Sequence, residues 1–107
     1  MKDFYDIYYL SRTFDFEGAK LQSVIFETLQ RRGTPYDRDS FKRVVALADD
    51  EDMQKRWKYF LKTIKDDTLE LPFVIAEIQT FLEPVFDAIV NEKEFQKMWL
   101  VDSQHWT

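Results

Sequence analysis

The sequence has no cysteine, two glycines and three prolines in 107 residues. Without cysteine there are no disulfides and no thiolate metal sites, which fits a reducing compartment. With so few turn formers, a sheet of many tight hairpins is excluded, and helices joined by short links are favoured. No apolar run approaches the ~20 residues of a membrane-spanning helix, and the Met1-Lys2-Asp3 start is no signal peptide, so a cytoplasmic protein without membrane contact is expected. Positive charge is also in deficit. Fifteen Lys and Arg face twenty Asp and Glu, a net charge of −5, which argues against the isolated chain as a nucleic-acid binder because such affinity comes largely from phosphate neutralisation. The one histidine, His105, has no companion ligand and reads as an ordinary surface residue.

What is present is apolar and aromatic. Apolar residues make up 45% of the chain, enough for a core, and the aromatics are ten Phe, five Tyr and three Trp. Either the core is unusually aromatic, or some rings lie on a face meant for another domain.

The apolar spacing predicts helices along most of the chain. The first runs from Asp3 to about Arg12 with Phe4, Ile7 and Tyr8 on one face. A second starts at Asp15 or Gly18, carries Leu21, Val24, Ile25, Thr28 and Leu29, and stops at Gly33. Thr34-Pro35-Tyr36 should be extended. Asp39 or Ser40 begins a third helix through Phe41, Val44, Val45 and Ala48. The acidic run Asp49-Asp50-Glu51-Asp52 then ends one helix and caps the next. In the fourth helix Met53, Trp57, Phe60, Leu61 and Ile64 form a stripe expected to pack on the fifth helix and on the second. Pro72 suits the first turn of that fifth helix, and Pro84 should kink or break it. Phe95, Met98, Trp99 and Leu100 are expected in a short C-terminal helix, with Trp106 folding back. The fold class is therefore all-α: a single helical domain over 1–107, a bundle of four or five main helices plus a short terminal one.

Candidate chemistry is sparse. Only Gly18 and Gly33 are available for a phosphate loop, and no Ser or Thr sits in a nucleophile elbow. Asp37-Arg38-Asp39 follows Pro35 in a link and reads as turn and cap chemistry. Asp49 to Asp52 lacks the spaced ligands and glycine of a calcium loop. The opening Lys2-Asp3-Phe4-Tyr5-Asp6-Ile7-Tyr8-Tyr9-Leu10 is more informative. Asp3 and Asp6 share a helix face, where two carboxylates either complement the helix dipole or, with ligands from elsewhere, help hold a divalent cation.

This stretch resembles the Lys-Asp-x-x-Asp motif of the AbiEii/AbiGii-type nucleotidyltransferase toxins of bacterial toxin–antitoxin and abortive-infection systems. Phe14-Asp15, the segment from Ala19 to Leu29 with Arg31-Arg32, the Gln54, Trp57, Phe60, Leu61 helix, and Ile78, Phe81, Leu82, Pro84, Val85 are similar to that family's C-terminal helical region. The resemblance implies a nucleotidyltransferase core followed by a helical domain, and a cleft using a nucleoside triphosphate and Mg²⁺. Within that cleft, Lys2, Asp3 and Asp6 would be catalytic contributors acting only together with the core. It also implies an antitoxin protein as a partner. The family's Gly-Ser turn and Asp-x-Asp pair have no counterpart in the sequence, which holds no cofactor site of its own. The chain is accordingly expected to be the C-terminal part of a larger nucleotidyltransferase, or a shortened reading frame, and inactive alone. The rival expectation is a non-enzymatic helical module that binds a protein partner or forms a homodimer through an aromatic face.

Overall fold

A computed structural model describes residues 2–33, 35–65 and 68–107; Thr34, Asp66 and Asp67 of the expected links lie outside the described residues. Five α-helices carry the fold: α1 (Lys2–Thr13), α2 (Gly18–Arg32), α3 (Ser40–Ala46), α4 (Glu51–Ile64) and α5 (Leu71–Val90). A 3-10 turn at Leu47–Asp49 links α3 to α4. Three short antiparallel strands, β1 (Phe16–Glu17), β2 (Met98–Leu100) and β3 (His105–Trp106), are ordered β1-β2-β3. The chain is predominantly helical, as its composition requires.

The termini of the helices follow from local chemistry. Gly33 closes α2 in the left-handed region at φ 61°, its amide bonded back to the Gln30 and Leu29 carbonyls, a conformation that costs glycine nothing. The Asp50 carboxylate accepts the Met53 amide at 3.0 Å and caps α4, so the acidic run does end one element and begin the next. Lys65 ends α4 in the left-handed region at φ 58°. Pro72 sits in the first turn of α5, where it forfeits no bond.

Helix α5 is the axis of the fold. Leu71, Val74, Ile75, Ile78, Phe81, Val85, Phe86, Ala88 and Ile89 are all buried along it. It runs unbroken through Pro84, so of the expected kink or break the break does not occur. The carbonyl that loses its partner there belongs to Thr80, an exposed residue where water can take the missing bond.

Two apolar clusters share this axis. In the first, Trp57 and Leu61 of α4 meet Leu71, Val74, Ile75 and Ile78 of α5, flanked by Phe4, Tyr5, Ile7 and Tyr8 of α1. In the second, Leu21 and Ile25 of α2 meet Val85, Ala88, Phe95 and Trp106. The α4 stripe thus packs on α1 and α5, and α2 belongs to the other cluster. On α2 only Leu21, Ile25 and Leu29 of the expected stripe are half-buried, while Val24 and Thr28 face solvent.

The C-terminal segment corrects the expected short helix. Residues 98–100 form a strand, and the chain end returns beside it as β3. Phe16 pairs with Trp99, and Trp99 with Trp106. The reason is the partners available. Buried Trp99 sits edge-on to Phe81 at 4.9 Å and to Trp106 at 5.5 Å, and Trp106 stacks on Phe81 at 5.9 Å. An extended chain alternates sides, so Trp99 turns inward while Met98 and Leu100 face out. All three indole N–H groups find a main-chain carbonyl: Trp57 on Leu69, Trp99 on Ser11 and Trp106 on Phe81. The core is aromatic, with Trp57, Phe81, Phe95 and Trp99 buried, while Tyr9, Phe14, Phe26 and Tyr59 are exposed.

Candidate functional site

Helix α1 carries the acidic motif, and its position is fixed from three directions. Phe4, Tyr5, Ile7 and Tyr8 pack into the first cluster. The Arg12 guanidinium lies 5.0 Å from the Tyr8 ring centre and 5.7 Å from that of Phe73, and 3.5 Å from the Glu77 carboxylate of α5. At the far end Ser11 is buried. Its hydroxyl donates to the Tyr8 carbonyl at 2.7 Å, and its own carbonyl accepts from the Trp99 indole at 2.8 Å and the Gln104 side-chain amide at 3.0 Å.

The opposite face of α1 is left to solvent. Lys2, Asp3 and Asp6 are all exposed, and among the described residues none of them takes part in an ion pair or side-chain hydrogen bond. Tyr9 and Leu10 are exposed on the following turn. The helix therefore presents charge that the fold does not use.

Among the described residues no three His, Cys, Asp or Glu side chains converge, so the two exposed carboxylates would hold Mg²⁺ only together with substrate phosphates or ligands from elsewhere. A groove of about 710 Å³, lined by Gln22, Phe26, Tyr36 and Ile89 among others, lies between α2 and the end of α5, and the motif residues take no part in it.

The other sequence candidates resolve into structure. The Asp37 carboxylate accepts the Asp39 amide at 2.8 Å and lies 3.5 Å from both the Ser40 hydroxyl and the Arg43 guanidinium, while the Ser40 hydroxyl accepts the Asp37 amide at 2.8 Å. These bonds build the turn that starts α3. The Asp39 amide, and then the Arg43 charge, hold the Asp37 carboxyl below its ordinary range. Asp50 serves as a cap, and His105 is an exposed residue of β3.

Sequence reasoning missed the residues that position α1 from a distance. Ser11 is the polar residue that continues the Phe4, Ile7, Tyr8 repeat, and Gln104 is unremarkable in the sequence. Gln22, missed likewise, serves α2 instead: its amide donates to the Lys93 carbonyl at 2.6 Å and its carbonyl accepts the Phe95 amide at 3.0 Å, clamping the C-terminal segment to α2. For Ser11 and Gln22 the available signal was a polar residue on or beside the buried face of a helix; Gln104, in the turn between β2 and β3, offered none.

No helix among the described residues is long and apolar enough to cross a membrane. No curated protein and no solved structure matches the chain. The model of one family, described as the nucleotidyl transferase AbiEii toxin of type IV toxin–antitoxin systems, matches residues 1–92. That match begins with the exposed acidic turn and takes in α1 to α5, so the chain belongs to the AbiEii nucleotidyl transferase toxin family.

Proposed function

We propose that this chain is the C-terminal helical part of a nucleotidyltransferase toxin, and that α1 forms one wall of a nucleotide cleft completed by a catalytic core domain. The observation that carries this reading is the division of α1 into two faces. One is anchored by Phe4, Ile7, Tyr8 and Ser11, and the other holds Lys2, Asp3 and Asp6 exposed without a partner among the described residues. Unpaired charges held in place by a packed helix are what a composite cleft needs from its second domain.

In the assembled cleft Mg²⁺ would supply charge neutralisation at the phosphates of a nucleoside triphosphate. Asp3 and Asp6 would add negative charge toward that metal from the α1 side, or accept a hydroxyl proton of the acceptor; Lys2, at the start of the helix, would face the phosphates. Among the described residues no third carboxylate converges with Asp3 and Asp6, and the two glycines form no phosphate-holding motif, so on this reading the chain is inert by itself. An antitoxin protein is the further partner that membership of a toxin–antitoxin family suggests.

Calorimetry of the 107-residue chain with ATP or GTP and Mg²⁺ tests the reading. Binding weaker than the millimolar range is expected. A micromolar Kd would mean that the chain carries a complete nucleotide site and would overturn it.

A further inference from the structure

Helix α5 ends in an unusual way. The Glu92 amide donates to the Ile89 carbonyl at 3.2 Å and the Lys93 amide to the Ala88 carbonyl at 2.9 Å. That closure needs a left-handed residue at its turn, where glycine or asparagine is usual. The chain has Glu92 there at φ 55°, a conformation disfavoured for a residue with a Cβ. The Gln22 side chain then fixes the following residues from α2, through the Lys93 carbonyl at 2.6 Å and the Phe95 amide at 3.0 Å. Glu92 and Glu94 are thus held in place, and both are exposed.

Both line the groove of about 710 Å³ between α2 and the end of α5. Its remaining surface is largely apolar. Phe26 of α2 stands along it 43% exposed, Tyr36 is braced edge-on against Phe86 at 6.0 Å, and Ile89 is buried beneath. The charge at this end is negative. Glu92 and Glu94 outnumber Lys93, and none of the three forms an ion pair among the described residues. The last turn of α5 has no basic residue to offset the negative end of a 20-residue helix dipole. Ile89 also lies about 20 Å along α5 from Ile75, which packs in the cluster that holds α1, so the groove is remote from the acidic motif.

We infer that this groove is a docking site for a short basic segment of a protein partner. One aromatic or branched apolar side chain of that segment lies between Phe26, Tyr36 and Ile89, and an adjacent arginine or lysine meets Glu92 and Glu94. Charge complementarity selects the cation and disfavours polyanions. The exposed apolar wall selects a peptide over a compact amine, which would leave the Phe26 ring uncovered. A rim fixed in advance by Gln22 lowers the ordering cost of binding. The site stands independently of the transferase reading.

NMR titration of the isotope-labelled full chain with the capped hexapeptide Arg-Leu-Arg-Trp-Arg-Gly tests the site. Amide signals should move at Phe26, Tyr36, Ile89 and Glu92 and stay fixed at Asp3 and Asp6. The Kd should be about 0.05–1 mM at about 50 mM salt, the weak range of a flexible peptide ordered on binding. Glu92→Asn with Glu94→Gln should weaken binding by at least about fivefold, and Phe26→Ser by at least about threefold. Asp52→Asn with Asp102→Asn, which removes two exposed carboxylates elsewhere, should stay within about twofold. Glu92→Asn alone should keep or raise the melting temperature, because asparagine accepts the left-handed conformation more readily. Weaker binding by a protein no less stable separates a role in binding from one in folding. No shifts at millimolar peptide, equal affinity for a peptide with Glu in place of Arg, or equal loss in both carboxylate pairs would overturn the inference. A lower melting temperature for Glu92→Asn would do the same by making the glutamate structural. So would dimerisation in sedimentation that Phe26→Ser abolishes, which would seat a second copy in the groove. None of these readouts involves nucleotide transfer, so failure here is distinguishable from failure of the transferase assignment.

Discussion

The indole N–H of Trp99 donates to the main-chain carbonyl of Ser11 at 2.8 Å, joining residues 88 positions apart in a buried contact. That bond ties the C-terminal segment to the end of the motif-bearing helix, and the Gln104 amide reaches the same carbonyl. The family match stops at residue 92, so the clasp lies beyond the matched region while holding its first element. Trp99→Phe keeps much of the ring packing on Phe81 and deletes the donor. It should cost about 1–3 kcal/mol in denaturant unfolding, and Trp99→Ala about 3–5 kcal/mol. Equal stability of all three proteins would show that the segment is not clasped to α1.

Trp57 is the corresponding test of the first cluster. It is 1% exposed, and its N–H satisfies the Leu69 carbonyl at 3.0 Å. Trp57→Ala should cost about 3–5 kcal/mol, a large share of the stability of a domain this size. An unchanged melting point would place the core elsewhere.

Much of this packing was legible in the sequence, because α4 and α5 carry enough turns for a 3.6-residue period to show. Trp57 and Leu61, Val74, Ile78 and Phe81 lie on stripes that repeat several times. The strands were not legible. Met98–Leu100 is three residues long, too short for a period, and it is extended because Phe16, Phe81 and Trp106 are where they are. Val24 was misplaced for a related reason: period alone marks an apolar face, and α2 packs on the second cluster through Leu21 and Ile25 while Val24 is exposed. The acidic motif was legible as residues. Its exposure on an anchored helix needed the structure, since Asp3 and Asp6 would read the same if they were buried in ion pairs.

Gly18 has a role that no repeat announces. Its amide donates to the Lys97 carbonyl at 2.7 Å, and a Cβ there would come within 2.6 Å of that oxygen and 2.8 Å of the Phe95 carbonyl. Alanine in a helix normally gains about 1 kcal/mol over glycine. Gly18→Ala should reverse that sign and cost about 1–3 kcal/mol, because main chain must move to admit the methyl group. A stabilised variant on thermal melting would contradict the close approach of α2 to the C-terminal segment.

At the start of α3, acid should act through Asp37. Its carboxyl is lowered first by the Asp39 amide and then by Arg43, so ionisation is favoured in the folded state. The resulting stabilisation is fully present above the ordinary value of 3.8 and disappears as pH falls through the lower folded value. An NMR titration should find the Asp37 carboxyl below 3.8, and Asp37→Asn should remove the acid-dependent loosening of this turn. A carboxyl titrating at or above that value would mean that the turn forms without it.

The assignment of α1 to function stands or falls with Asp3 and Asp6. In this chain, replacing both by Asn should change stability by less than about 1 kcal/mol, the size of a helix-dipole contribution at exposed sites. The decisive measurement is nucleotide transfer by a full-length member of the family carrying Asn at the two positions that match Asp3 and Asp6. Transfer should fall by at least about a thousandfold while the protein stays folded, as expected when charge is removed beside a catalytic metal. Unimpaired transfer would make the motif only the first turn of a helix and would contradict the proposed cleft.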